Sequence, residues 1–243
     1  APSSLRAIGF SRAELALAAK DLRSLLRRRE LLPLLLLPLI VSIVLLVERG
    51  ANATPAADSL TLGLMAWFGG LSAVLLSASS FGQERRAVAH LYFLPIRPRA
   101  VVRAKASVSL LVSFSITTAI LAVACVVLRP PALTLPGLAL TAALVIAEGT
   151  VIGLLAATRY SDFQDRPRPQ FVRPLPMLGT IALYAVLGGV TVSLARSLSF
   201  GVVPPLIPLP VAIGAVAALV AVLAGLGALV DGGARRLLRE LPT

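Results

Sequence analysis

Long apolar runs separated by short polar segments dominate the pattern of this chain. Each run has roughly the 17–25 residues that a helix needs to cross the hydrocarbon core of a bilayer. The period-2 alternation that marks the strands of an outer-membrane barrel does not occur. The pattern therefore predicts an all-α polytopic membrane protein with six transmembrane helices, at about 31–47, 59–82, 104–128, 134–157, 174–195 and 205–230.

A different pattern precedes the first run. Leu15, Ala18, Leu22 and Leu25 recur at helical spacing within 11–30, which predicts an amphipathic helix on the membrane surface. Ser11 and Glu14 have the spacing of a capping box at its start. Two roles stay open: an anchor that fixes topology, which we favour, and a lever that connects a cytoplasmic partner to the spans.

Composition supports a membrane protein. Of the 243 residues, 57% are hydrophobic and only 14% are charged. A soluble domain of this length cannot bury so much apolar surface, so lipid must cover part of it. The net charge of +12 lies in short segments beside the apolar runs. It therefore indicates contact with lipid headgroups rather than with nucleic acid.

The positions of the basic residues predict orientation. With the N-terminus inside, the inner segments 1–30, 83–105, 158–173 and 231–243 hold 20 of the 23 Lys and Arg residues. The outer segments hold only Arg49, Arg129 and Arg196. The positive-inside rule then places both termini in the cytoplasm, in a multi-pass protein of the cytoplasmic (inner) membrane.

These predictions divide the chain into a cytoplasmic interfacial segment 1–30, a transmembrane domain 31–230 and a cytoplasmic tail 231–243. Within the transmembrane domain, 158–173 is a second cytoplasmic loop. The segment 196–210 contains four prolines and predicts a broken or re-entrant piece on the outer side. At the start of the tail, Gly232 and Gly233 predict a helix stop before a basic anchor.

The chain offers few groups for catalysis or metal binding. Cys125 is its single cysteine and His90 its single histidine, so neither a disulfide framework nor a Cys/His metal site is possible. No phosphate-binding GxxxxGK[ST] loop, HExxH or GxSxG motif occurs. We therefore expect no catalytic residue, no metal and no bound cofactor, and any ATP must be hydrolysed elsewhere.

Glu148 is the one acidic residue deep within an apolar run. A carboxylate in the membrane costs several kcal/mol unless it is paired or protonated, which makes it a functional candidate. The alternative is a protonated carboxyl group bonded to a neighbouring helix across a close contact at Gly149 and Gly153. Neither reading is favoured over the other.

Small and hydroxyl side chains mark two other spans. In the second span, glycines and serines indicate close helix packing, including packing on a second copy of the chain or a related half. These residues are Gly63, Gly69, Gly70, Ser72 and Ser77. In the third span, hydroxyl groups predict bonds to their own helix backbone rather than a polar path. They belong to Ser107, Ser109, Ser113, Ser115, Thr117 and Thr118.

Three segments together resemble the membrane subunit of an ABC transporter of the ABC-2 (type V exporter) class. The first is AKDLR at 19–23 with RRRE at 27–30, which is similar to the family's connector helix. The second is QERR at 83–86, LYFLPI at 91–96 and RAK at 103–105, which is similar to the loop after the second span. The third is RYSDF at 159–163 with RPQF at 168–171, which is similar to the corresponding loop in a bacterial and archaeal subgroup of these exporters.

The resemblance implies a permease subunit or half of an ATP-driven exporter, with ATP and Mg²⁺ on a separate cytoplasmic ATPase. It implies a second permease copy or related half, as a homodimer or heterodimer in the lipid bilayer. It makes 83–96 the coupling helix and 196–210 an outer gate element. The expected ATPase contacts are Glu84, Arg85, Arg86, Val88, Leu91, Leu94 and Pro95.

Other functions stay open beside this one. A polytopic membrane enzyme acting on lipid could use Glu148 or the pair Asp162 and Asp165, although the neighbouring arginines oppose a cation there. A haem-exporter-like subunit of cytochrome c maturation has a similar plan and size. A scaffold without a substrate path is the third alternative, and it leaves Glu148 unexplained.

Overall fold

A computed structural model describes residues 11–27, 32–49, 55–82, 97–132, 134–161, 172–198 and 209–239. Within these ranges the chain forms seven helices. They are α1 (Arg12–Arg27), α2 (Leu32–Arg49), α3 (Pro55–Gly82), α4 (Pro98–Leu128), α5 (Thr134–Tyr160), α6 (Pro174–Leu198) and α7 (Leu209–Arg239).

Five helices, α3 to α7, are long and apolar enough to cross a membrane. The prediction of an all-helical polytopic membrane protein is thus confirmed. In α2 the apolar stretch with described side chains is Leu36–Glu48, which is shorter than a full span. The predicted span at about 31–47, which would bring the number of spans to six, stays a prediction.

Local sequence explains where α1 and α4 begin and end. Glu14 Oε2 accepts from the Ser11 backbone N–H at 2.6 Å, and Ser11 Oγ accepts from the Glu14 N–H at 3.2 Å. This is the predicted capping box of α1. Pro98 occupies the first turn of α4, where its missing N–H is not needed. Arg129 ends α4 in the left-handed region, with φ 49°, and its N–H bonds to the Cys125 carbonyl.

The core is built around α3 and α5, which make the most extensive contact of any helix pair. The end of α3 lies beside the first turns of α4, and the end of α5 lies beside the start of α6, as the bonds from Lys105 to the Ser80 carbonyl and from the Arg173 N–H to the Tyr160 carbonyl show. At one end of the bundle, Leu17 of α1 packs in the same apolar cluster as Phe81, Val101 and Ala234. We call this end, where α3, α5 and α7 finish and α4 and α6 begin, the charged end.

One predicted boundary is wrong. α7 continues through Gly232 and Gly233 to Arg239 instead of stopping. A Cβ on Gly233 would lie 2.8 Å from Thr158 Oγ1 of α5. The glycine therefore permits close packing of α7 on α5. This packing keeps the chain helical at a position where glycine alone would favour the end of a helix.

Two predicted segments fall largely outside the described residues. Of the proline-rich segment 196–210, only 196–198 and 209–210 are described, and both pieces are helical. Of the inner loop 158–173, the described ends meet in an antiparallel bridge between Ser161 and Val172. Asp162 and Asp165 lie outside the described residues.

Candidate functional site

Lys105 is a buried cation at the charged end. Its side chain lies on α4 and is 3% exposed. Its Nζ lies 3.3 Å from Asp21 Oδ2 of α1 and donates to the Ser80 carbonyl at 2.9 Å. It also lies 5.0 Å from the centre of the Phe81 ring, within the range of a cation–π contact. One ammonium group therefore joins α1, α3 and α4.

Two more ion pairs connect the first turns of α4 to its neighbours. Arg103 lies 3.6 Å from Glu14, whose side chain is buried in α1. Arg99 Nε donates to Asp231 of α7 at 2.8 Å, in a pair that is open to water. We call this set the α4 clamp, and its members are Glu14, Asp21, Arg99, Arg103, Lys105 and Asp231.

On α4 the clamp begins at Arg99, three residues after the end of the predicted coupling helix 83–96. That segment lies outside the described residues, with its expected contacts Glu84, Arg85, Arg86, Val88, Leu91, Leu94 and Pro95. Arg97 is the first residue described beyond it.

Glu148 lies in the middle of the bundle, with no exposed surface. Its Oε1 accepts a hydrogen bond from Thr191 Oγ1 of α6. Its Oε2 has no partner among the residues that the structure describes. The carboxyl group thus ties α5 to α6 and is shielded from solvent.

A second polar contact fixes α6 beside Glu148. Tyr184 is fully buried, and its hydroxyl donates to the Trp67 carbonyl of α3 at 2.5 Å. The two rings stack with their centres 5.4 Å apart. Together with the Thr191 bond, this contact holds α6 against both central helices.

Gly149 and Gly153 face α3. A Cβ on Gly149 would overlap the Gly70 carbonyl, and one on Gly153 would overlap Ser77 Oγ and the Val74 carbonyl. The small residues of α3 are therefore used for packing inside this chain. They are therefore no evidence for a second copy of the chain, which stays a prediction from the resemblance to ABC-2 permeases.

Most described hydroxyl groups of α4 bond to backbone within the bundle. Ser107, Ser115 and Thr117 donate to carbonyls of their own helix at 2.7–2.8 Å. Ser109 instead donates to the Ala73 carbonyl of α3 at 3.2 Å. The Ser113 hydroxyl is buried and has no partner within the described ranges. The bonds of Ser107, Ser115 and Thr117 to their own helix are of the kind that the sequence predicts.

Sequence reasoning missed the partners in these contacts. The sequence identifies Glu14 only as part of a capping box, and it does not identify Asp21 or Asp231 as partners of α4. The one available signal was the placement of acidic residues in segments that are otherwise basic. Among the described residues, no group of three His, Cys, Asp or Glu side chains could hold a metal ion.

Comparison with known proteins gives one match. Residues 4–229 match the model of a family described as "Membrane protein of 12 TMs". Neither the curated proteins nor the solved structures include a match to this chain. The resemblance to ABC-2 permeases is not tested by these comparisons and stays a prediction. Since the match covers most of the chain, this protein belongs to that family of multi-pass membrane proteins.

Proposed function

We propose that this chain is a membrane subunit of a transporter that takes its energy from a separate cytoplasmic ATPase. The observation that carries the proposal is the α4 clamp. It joins the surface helix α1, the end of α3 and the last part of α7 to the first turns of α4. A partner that moves α1 or 83–96 would therefore move α4.

The length of α4 supports the transmission of such a movement. Its 31 residues form one continuous helix, which is about 46 Å long at 1.5 Å per residue. A displacement at the clamp would reach the opposite end of the bundle without passing through a loop. ATP and Mg²⁺ would be bound by the partner, and export is the direction implied by the resemblance.

The family description supports a pairing of this chain with a second unit. It counts 12 spans, whereas the described residues supply five candidates and one shorter apolar helix. Two units of this kind, identical or related, would supply a twelve-helix assembly. We place the substrate path of the transporter in that assembly.

The enzyme hypothesis has less support. In the version that uses Glu148, a lipid substrate would need to reach a side chain that is enclosed and bonded to Thr191. A purely structural role, in which Glu148 bonds α5 to α6 through Thr191, accounts for this geometry without any catalysis. The version that uses Asp162 and Asp165 lies outside the described residues and stays a prediction. The haem-exporter alternative is a transport subunit as well, and the same experiment addresses it.

The test is affinity purification of the tagged chain from native membranes, followed by identification of co-purified proteins. We expect an ATPase with Walker motifs, and we expect Glu84→Lys or Arg85→Glu to reduce its recovery. Arg129→Glu is the matched control, because it reverses a charge at the opposite end of the bundle. Purification without any ATPase, and no effect of either substitution, would reject the proposal.

A further inference from the structure

Two grooves meet at one arginine of the charged end. The first lies between α5 and α6 and has a volume of about 360 Å³. Its walls are mainly apolar and include Ile152, Leu155, Leu175 and Leu183. A Cβ on Gly179, which also lines it, would meet no atom within 4 Å. A larger side chain at this position would therefore have room to extend into the groove.

The second groove lies between α5 and α7 and has a volume of about 510 Å³. Its polar lining comes from Thr158, Arg159, Arg236 and the backbone of Gly232 and Gly233. Close packing of Gly233 on Thr158 forms its floor. Both volumes fall in the ~300–1,000 Å³ range of small-ligand sites.

Arg159 lines both grooves, so the apolar groove and the basic groove adjoin at its side chain. Arg173 lies near this junction, because its backbone N–H bonds to the Tyr160 carbonyl at 3.3 Å. The nearest described acid on α7, Asp231, is already held by Arg99. Within the part of the chain that the structure describes, no carboxylate is paired with Arg159 or Arg236. The junction is therefore a basic site beside an apolar slot.

We propose that a phospholipid with an anionic headgroup binds at this junction. Its phosphate lies between Arg159 and Arg236, and one acyl chain lies in the groove between α5 and α6. Basic pockets between transmembrane helices bind anionic headgroups, and the adjoining apolar groove distinguishes a lipid from a free anion. The inference is independent of the proposed transport function, since a lipid held here could be structural.

The first experiment compares headgroups on the unmodified protein. Protein in detergent is titrated with phosphatidylglycerol or phosphatidylcholine of identical acyl chains, and bound lipid is counted by native mass spectrometry. We expect phosphatidylglycerol to bind at least tenfold more tightly. Inorganic phosphate at the same ionic strength as a chloride control should not displace it.

The second experiment locates the site. Arg159→Gln and Arg236→Gln should each weaken phosphatidylglycerol binding about fivefold, the effect expected of one basic residue near a headgroup. Arg23→Gln, on the exposed face of α1, should have no effect. Gly179→Leu should fill the apolar groove and weaken binding of both lipids. Gly189→Leu is its control, because that glycine is equally unobstructed on the same helix and lies outside the groove.

Three results would overturn the proposal. The first is equal binding of the two lipids to the unmodified protein. The second is displacement by inorganic phosphate together with no effect of Gly179→Leu, which would indicate a site for free anions. The third is loss of a dimer in Gly179→Leu with lipid binding unchanged, which would make the groove an interface between copies. Because the headgroup comparison needs no variant, misfolding of a variant cannot hide the answer.

Discussion

At the scale of single residues, the two clearest ion pairs of the α4 clamp differ in their access to water. The Lys105 side chain is almost completely buried, whereas that of Arg99 is 63% exposed. Removing one partner of a buried pair leaves an uncompensated charge and typically costs about 3–5 kcal/mol. An exposed pair contributes about 0–1 kcal/mol, because solvent screens it. The buried pair should therefore dominate the stability of the charged end.

This difference predicts the effects of two parallel substitutions. Lys105→Met should lower the free energy of unfolding by about 3–5 kcal/mol, and Arg99→Met by less than about 1 kcal/mol. Both can be measured by denaturant titration in detergent micelles. Adding Asp21→Leu to Lys105→Met should restore part of the loss, because no charge is then left alone. Equal effects of the two single substitutions would contradict the burial argument.

Glu148 allows a separate test of carboxyl chemistry against hydrogen bonding. Glu148→Gln keeps an oxygen that can accept from Thr191, so stability should change by less than about 1 kcal/mol. Thr191→Val removes the donor to a buried carboxyl group and should cost about 1–3 kcal/mol. Thermal unfolding of the purified variants measures both. If Glu148→Gln folds normally but abolishes activity of the native complex, the carboxyl group does more than tie two helices.

Only part of this residue-scale picture could be read from the sequence. The sequence identifies Glu148 as a candidate site, because it is the one acidic residue deep within an apolar run and a buried carboxyl group needs a hydrogen-bond partner. The identity of the partner could not be predicted, since it depends on which face of α6 turns toward α5. The clamp joins positions 84 and 132 residues apart, and no local pattern encodes such pairs.

At the scale of elements, the contact between α3 and α5 organises the bundle. Small residues on both helices bring their backbones together, as in the contacts of Gly153 with Ser77 and of Gly149 with Gly70. Apolar runs and their flanking charges predicted where most helices lie, because length and hydropathy decide that a segment crosses a bilayer. The continuation of α7 through two glycines was not predictable, because tertiary packing overrode their weak helix propensity.

The packing of α3 on α5 predicts a contrast between glycines. Gly153→Ala would place a methyl group in steric overlap with the Ser77 hydroxyl and the Val74 carbonyl. It should lower the free energy of unfolding by about 1–3 kcal/mol or more. Gly225→Ala on α7 meets no neighbour and should be neutral or stabilising by up to about 1 kcal/mol. Chemical unfolding in micelles compares them. A similar loss in both would mean that the two helices do not pack as described.

At the scale of the whole molecule, α1 and the last turns of α7 lie at the same end of the bundle. Arg129 lies at the other end, after the last turn of α4. The sequence predicts from its charges that the first of these ends is cytoplasmic. The structure adds that the described parts of these inner segments, in α1, the first turns of α4 and the ends of α5 and α7, lie together at this end.

Orientation can be measured by labelling single cysteines in intact cells. In a Cys125→Ala background, Arg129→Cys should react with a membrane-impermeant maleimide added outside. Arg23→Cys should react only after the cells are permeabilised, because the positive-inside rule places α1 in the cytoplasm. The opposite pattern would reverse the predicted topology while leaving the fold unchanged.

The ion pairs of the α4 clamp can form only in a fixed order while the chain is being synthesised. Asp21 is synthesised 84 residues before Lys105, a delay of roughly 4–17 s at ~5–20 residues per second. During that interval the ion pairs of Glu14 and Asp21 with α4 cannot form. Arg99 waits still longer, because Asp231 follows it by 132 residues. Helix α1 is therefore made before α4 and can complete its ion pairs only once α4 has been synthesised, and the pair with α7 forms last.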